Sequence, residues 1–286
     1  MPADPASASR VPTGHLGAVE ETLMIPLVGR AMEMDRSRPV LRDPKAQAIV
    51  AALDYDFAKF DGPSARGAVL RTRIYDRIVE RWMAAHPGGT VVEIGCGLNT
   101  RFERVDDGRV RWRDLDVPDV IALWHRFFDE TERRRAIASS AFETEWMDAL
   151  AAETDGPVLF ASEASTLFVP AETNQKLYAD LAARFPGAHV FFDTATRYFA
   201  ERQDGRDAFR HCTARVTWTV EEVSELEAWG LQVEESFPLF RPSRWLRGEV
   251  PRLYRVMGAV ASVVKPAFVR QYRLTLAQLP GTVTVR

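Results

Sequence analysis

The segment Val91-Val92-Glu93-Ile94-Gly95-Cys96-Gly97 constrains this chain more than any other. A short β-branched run predicts a buried strand. Two glycines spaced G-x-G directly after it let the backbone turn sharply and approach a ligand with no side chain between. That pairing places a nucleotide-type ligand at the carboxyl end of a strand. The turn continues as Leu98-Asn99-Thr100, so the third glycine, where helix amides meet a dinucleotide pyrophosphate, is missing. Instead Glu93 stands two residues before the first glycine, a carboxylate suited to an ammonium group such as that of the methionine half of S-adenosylmethionine. Asp116 follows 23 positions after Glu93, where a second strand ends and an acid can accept both ribose hydroxyls. A lone G-x-G is also a common strand-to-helix turn, so the remaining chain must carry the rest of the argument.

Strand-type runs and amphipathic helices alternate from about Val69 onward, which argues for a mostly parallel sheet with helices on both faces. Strands are expected over 90–94, 110–113, 135–138, 157–161, 188–193, 231–237 and 271–277. Ile74, Ile78 and Trp82 recur at helical spacing, as do Leu177, Leu181 and Phe185 before the Pro186-Gly187 stop. Thr219-Val220-Glu221-Glu222 reads as a capping box opening a helix that turns Val223 and Leu226 inward and stops at Gly230. A helix over 251–264 separates the last two strands. Seven strands with the last pair formed around a helix make an α/β, Rossmann-like class I methyltransferase sheet.

The domain reading follows from the same pattern. Residues 1–14 are a Pro/Ala/Ser-rich tail, and 15–68 form a helical cap with helices over 16–34 and 43–60. Residues 69–286 form the core, with cap insertions near 196–215 and 238–265.

Composition excludes several classes. A net charge of −3 and scattered basic residues argue against nucleic acid, and Arg133-Arg134-Arg135 beside Glu130 and Glu132 reads as a solvated helix end. Two cysteines and five histidines show no ligand-pair spacing, which predicts no metal and a reducing, cytoplasmic compartment. No run approaches the roughly 18 apolar residues of a spanning helix, so no membrane partner is expected.

Five segments in order then carry a resemblance. They are Glu21 to Ala31 (ETLMIPLVGRA), Leu41 to Ala46 (LRDPKA), Tyr55-Asp56-Phe57, the turn from Val91 to Arg101, and Asp114-Leu115-Asp116-Val117-Pro118. Together they resemble the leucine carboxyl methyltransferase family, and within it the bacterial branch that methylates polyketides. The resemblance implies a class I S-adenosylmethionine fold, a helical cap over the active site and methyl transfer to an oxygen, commonly that of a carboxylate.

It also implies site residues. Arg66-Gly67 and Arg71 match an R-G-x-x-x-R segment in which an arginine holds the cofactor carboxylate, and Arg71 is the expected holder because its fork matches a carboxylate. Gly95 and Gly97 allow the close approach, Asp116 is the ribose acid, and Ser140-Ala141-Phe142 line the adenine. Glu163 matches the family's acid at the end of the fourth strand, facing either the methionyl group or the acceptor. The family usually follows that acid with glycine and later tyrosine, and here Ala164 and Phe168 stand instead; Ser140 replaces part of an Asp-Leu pair.

A carboxylate acceptor, ionised at neutral pH, needs no general base, whereas a phenol with its pKa near 10 gains from one. His125 lies near the expected ligand edge, but its spacing with Ile121 and Phe128 suits helix packing. The expected function is therefore O-methylation of a small natural-product acid, with a phenol as the other acceptor class. Arg30, Tyr55 and Arg197 are expected to orient the acceptor, with Glu163. Three rivals remain: a nicotinamide oxidoreductase, an S-adenosylmethionine-binding protein with altered or lost transfer, and a methyltransferase of protein carboxyl termini. The pattern fixes no oligomeric state.

Overall fold

The computed structural model describes residues 10–281 apart from 15, 18 and 61. Residues 1–9 of the expected tail therefore lie outside the described residues. Within the rest of that tail, β1 (Val11–Pro12) pairs in parallel with β2 (Leu53–Asp54). The main sheet contains β3 (Thr90–Ile94), β4 (Arg111–Asp116), β5 (Arg134–Ala138), β6 (Val158–Ser162), β7 (His189–Ala195), β8 (Gln232–Pro238) and β9 (Tyr272–Gln278). Its order is β5-β4-β3-β6-β7-β9-β8, or 3-2-1-4-5-7-6 counted within the sheet. All neighbours are parallel except β9, which runs antiparallel to both β7 and β8. This is the class I methyltransferase arrangement. The chain leaves β3 toward β4 and returns on its other side at β6, so the order reverses beside β3, where open α/β sheets bind ligands.

The helices are α1 (Met24–Glu33), α2 (Pro44–Ala52), α3 (Pro63–Ala85), α4 (Arg101–Val105), α5 (Pro118–Trp124) and α6 (Glu145–Glu153). After them come α7 (Ala171–Arg184), α8 (Arg197–Ala200), α9 (Ser224–Glu227), α10 (Arg252–Val264) and α11 (Pro266–Arg270). The stripe Ile74, Ile78 and Trp82 of α3 is buried in the core with Tyr75 and Val79. Buried apolar positions repeating every turn are why this segment is helical and where it docks.

Several expectations are corrected. The helix expected over 43–60 ends at Ala52, because Leu53 turns into the pairing with β1 and the Asp56 carboxylate accepts the Ala58 amide at 3.1 Å, a local bond that competes with helix. Its start is as the sequence reads: Asp43 accepts the Ala46 amide at 2.9 Å and Pro44 opens the first turn. Over 16–34 the helical part is a 3₁₀ turn, Glu20–Leu23, followed by α1. Helix α3 starts at Pro63 and runs on through position 68. Thr219 does not cap a helix, since it bridges Ala195, and Glu225 instead accepts the amides of Glu221 and Glu222. Arg134, expected in a solvated cluster, is buried in β5 against Asp114 at 2.6 Å, with the Phe102, Trp124 and Phe128 rings around it. A guanidinium with its charge paired and its plane on aromatic faces is tolerated inside.

Candidate active site

The glycine turn takes the shape its sequence requires. Gly95 and Gly97 have φ of +67° and +51°. A Cβ on Gly95 would sit 2.4 Å from the Ser165 Cβ, and one on Gly97 would sit 3.0 Å from the Leu23 Cβ. The turn therefore packs tightly against both the segment that follows β6 and the N-terminal segment, and only glycine fits. The Gly97 amide donates to Asp116 Oδ2 and the Val117 amide to Oδ1, both at 2.8 Å. Burial raises the Asp116 carboxyl to about 6 against these two bonds.

Behind the turn lies a buried charge network. Arg101, fully buried, donates through Nε to Asp76 at 3.0 Å and through its two terminal nitrogens to Glu93 and Glu163. Arg104 joins Asp76 to Asp43, and Arg30 donates to Asp43 and to the Leu98 carbonyl, each at 2.9 Å. Arg71 donates from Nε to Glu163 Oε1 at 2.9 Å and from Nη1 to the Tyr272 hydroxyl at 3.0 Å. That hydroxyl in turn donates to Asp193, which also accepts the Ala164 amide at 2.9 Å. Four guanidiniums (Arg30, Arg71, Arg101, Arg104) thus face five carboxylates (Asp43, Asp76, Glu93, Glu163, Asp193). The surplus negative charge is costly in a poorly solvated interior. It shows as raised carboxyls: burial pushes Glu93 up to about 7 and Asp193 to about 6. Glu163, held by Arg71, Arg101 and the Thr72 hydroxyl, goes down to about 2 although burial opposes this.

Arg30, Arg71, Glu93, Glu163 and Tyr272 of these side chains line a cavity of about 710 Å³, and the others stand behind its wall. One half is bounded by Arg71, Glu93, the 95–99 turn, Asp116 and Ser139 to Phe142. The other half is walled by Phe168, Phe199, Phe209, Phe240 and Phe268 with Arg206, Gln271 and Tyr272. The N-terminal segment closes it through Leu23, Ile25 and Pro26.

The leucine carboxyl methyltransferase profile matches residues 24–182, more than half of the 286. The chain belongs to the leucine carboxyl methyltransferase family. It is 29% identical over 232 residues to the tetracenomycin polyketide synthesis O-methyltransferase TcmP of Streptomyces glaucescens, covering 79% of this chain and 85% of that protein. It is 25% identical over 281 residues to the S-adenosyl-L-methionine-dependent methyltransferase dpfgK of Gibberella zeae, covering 86% and 94%. Among solved structures, a DUF574 family protein from Streptomyces avermitilis superposes with a TM-score of 0.52 at 14% identity, over 88% of this chain and 97% of that one. This family member is an S-adenosylmethionine-dependent methyltransferase, and the rival oxidoreductase reading is set aside.

Its residues fit that cofactor on structural grounds. The network carries one more carboxylate than guanidinium, and the cofactor, with a sulfonium, an ammonium and a carboxylate, is a net monocation. Glu93, Asn99 and Asp116 line the same end of the cavity as the glycine turn, where a Cβ has no room.

The expected site residues divide clearly. Arg71, Glu93, Gly95, Gly97, Asp116, Ser140, Ala141, Phe142 and Glu163 all line the cavity. Ser140 turns its hydroxyl to the Phe142 amide at 3.3 Å, a local bond. Arg30 reaches the wall, and its bonds to Asp43 and the Leu98 carbonyl brace the glycine turn. Tyr55 lies outside the cavity wall, donating to Glu21 at 2.5 Å. Arg197 is exposed and also outside. Glu163 stands in the cavity wall as a carboxylate, its pKa held at about 2 by Arg71, Arg101 and the Thr72 hydroxyl. His125 is exposed at the end of α5, and no histidine among the described residues lines the cavity.

Four contributors were missed. Arg101 stands in the glycine-turn segment, and its position one turn after the glycines is the available signal. Asp193 closes an otherwise apolar run, Val190-Phe191-Phe192, and a charge there signals a buried partner. Tyr272 and Arg206 left no local signal, since only the fold brings them to the cavity.

Ala164, where the family usually has glycine, has φ of +58°, the one positive value at a non-glycine among the described residues. The turn keeps the shape that glycine would give, at a conformational cost of about 1–2 kcal/mol, partly offset by the greater chain entropy glycine loses on folding. Ala164→Gly is therefore expected to raise unfolding stability by about 0.5 kcal/mol, read as an increase in the urea midpoint at constant slope. A decrease would show that the Ala164 methyl packing outweighs the strain.

Proposed function

We propose that the enzyme methylates a carboxylate of a small, flat, polyketide-like acid seated between the phenylalanines of the cavity. The observation that carries this reading is Arg206. Its guanidinium lies 4.1 Å from the Phe199 ring centroid, its Nη2 donates to Gln271 at 2.6 Å, and its buried Nε has no partner. A cation with an unused donor on an aromatic wall suits an aromatic acid: the fork takes one carboxylate oxygen and leaves the other to be methylated. Arg206 thereby takes the orienting role expected of Arg197, nine positions earlier in the chain.

Further support comes from the groups on the acceptor wall. Burial and the neighbouring Asp193 carboxylate hold the Tyr272 hydroxyl well above its usual range, and Asp207 is engaged by the Ser64 amide at 3.1 Å. Among the described residues no histidine lines the wall, and the Tyr272 hydroxyl donates to Asp193, so it offers a phenol no free base. The enclosed aromatic wall fits a small molecule better than a protein tail. We also assign Arg71 to the cofactor carboxylate, Glu93 to its ammonium, Asp116 to its ribose and Ser140 to Phe142 to its adenine. When bound, S-adenosylmethionine supplies an electrophilic methyl group on a sulfonium. The protein's tasks are to hold the acceptor oxygen in line and to keep water out, through the Phe168, Phe199 and Phe209 wall. Residues 15–68 and the segments near 196–215 and 238–265 serve as the cap. Two unpaired, buried cysteines suit the reducing cytoplasm.

The test is transfer of labelled methyl groups to a panel of aromatic acids and phenols. An ester product, cleaved by mild alkali, is expected, and Arg206→Gln raises KM for the acid by about 30-fold with a smaller change in kcat. An alkali-stable ether, formed at a rate rising with ionisation of a phenol, would overturn the carboxylate assignment. Tight S-adenosylhomocysteine binding without transfer to any acceptor would point to lost activity instead.

A further inference from the structure

Helix α10 carries an apolar stripe that nothing in the fold covers. Leu253, Val256, Met257, Val260, Val263 and Val264 fall at i, i+3, i+4, i+7, i+10 and i+11, and their exposures run from 56% to 82%. That is one continuous face of a helix whose other side, Tyr254 and Gly258, packs on the core and against the Phe240 carbonyl. An exposed aliphatic stripe of this length on a soluble-looking domain marks an interaction surface.

The surroundings identify its chemistry. Between 241 and 270 stand Arg241, Arg244, Arg247, Arg252, Arg255, Lys265 and Arg270, all exposed, against one acid, Glu249. That acid is already occupied by Arg73 and Arg77 of α3. The segment is thus +6 on a chain whose total is −3, leaving −9 for the remainder. A second copy of the same face would bring two such cationic surfaces together, which disfavours a symmetric dimer through α10. The face is convex and aliphatic, without the pocketed aromatic anchors of a protein interface. Trp245, 39% exposed beside Arg81, adds an aromatic of the kind that sits at lipid headgroup level.

We propose that α10 lies on an anionic lipid surface, its aliphatic stripe in the headgroup and acyl boundary and its arginines on lipid phosphates. This is peripheral association, since no described helix is long and apolar enough to cross a membrane. It revises the sequence-based expectation of no membrane partner, which considered only long apolar runs. The surface runs up to the cavity wall, because Phe268 of α11 lines the cavity and stacks with Phe240 at 8°. The proposal does not depend on which acceptor is methylated.

Co-sedimentation of the full chain with vesicles tests it. Vesicles of phosphatidylglycerol and phosphatidylcholine are expected to take up the protein about tenfold or more better than phosphatidylcholine alone, and the difference shrinks at high salt. Val256→Glu with Val260→Glu is expected to weaken the partitioning about tenfold or more while leaving S-adenosylhomocysteine affinity unchanged. Arg252→Glu with Arg255→Glu should weaken it in the same direction. The proposal is overturned if phosphatidylglycerol vesicles take up no protein, or if the valine variant sediments like the parent. A lipid-free parent that is a dimer and becomes monomeric in the valine variant also overturns it, in favour of self-association.

Discussion

Arg101→Met is expected to lower the unfolding free energy by about 3–5 kcal/mol, the cost of leaving buried carboxylates without their shared cation. Arg101 is fully buried and touches Asp76, Glu93 and Glu163 together, so its loss takes the network from four guanidiniums to three against five carboxylates. No neighbouring cation can replace it, since Arg104 and Arg71 already hold their own acids. The pH dependence identifies the cause. Glu163 is depressed to about 2 in the folded chain, below its value in the unfolded chain. The stability this gives is present above the unfolded value of about 4.3 and is lost as pH falls toward 2. In Arg101→Met the part of that depression due to Arg101 is relieved while Arg71 and Thr72 keep theirs, so the deficit relative to the parent is largest at neutral pH and narrows in acid. Urea titrations across this range measure it. A deficit under about 1 kcal/mol at neutral pH would show that the network contributes little to stability.

S-adenosylhomocysteine is expected to bind about a hundredfold more weakly near pH 5.5 than near pH 8. Burial holds Glu93 at about 7 and Asp116 at about 6 in the ligand-free chain. With Glu93 on the cofactor ammonium and Asp116 on the ribose as proposed, binding selects the ionised form of each, because only a carboxylate pairs with an ammonium or accepts two hydroxyls. Below its own pKa each group costs tenfold per pH unit, giving about 30-fold from Glu93 and about fourfold from Asp116 over this range. Calorimetry in two buffers of different ionisation enthalpy counts the protons released. Glu93→Gln should flatten the upper part of the profile and Asp116→Asn the lower. The sign for folding alone is the reverse. Folded values raised above the unfolded ones mean that the native state holds more protons, so this contribution to stability is present below about 4.3 and lost as pH rises through 6 to 7. Ligand-induced stabilisation therefore grows toward alkaline pH. An affinity independent of pH across the range would remove Glu93 and Asp116 from the cofactor contacts.

Both expectations trace to residues of unequal legibility. The glycine turn, Glu93 and Asp116 were readable because they belong to one local unit: a β-branched run, residues able to adopt positive φ, and an acid at the end of the next strand. Local periodicity likewise fixed all seven strands of the main sheet within a few residues and the inward stripe of α3. The boundaries that failed, at Ala52 and Thr219, failed because a side chain or a distant strand took the backbone bonds that a helix would have used.

What the sequence alone determined is the family, the strands of the sheet and the half of the cavity built from the first β-α unit, since each of these is written in short runs of neighbouring residues. Only the tertiary structure decided the partners of the buried charges and the wall facing the acceptor. Arg71 meets Glu163 across 92 positions and Tyr272 across 201, and Arg206 meets Gln271 across 65. No local pattern encodes such pairings, because each carboxylate is matched by whichever guanidinium the closed fold brings within hydrogen-bonding reach. The physical reason is that burial makes an unpaired charge intolerable without saying which residue must pair it.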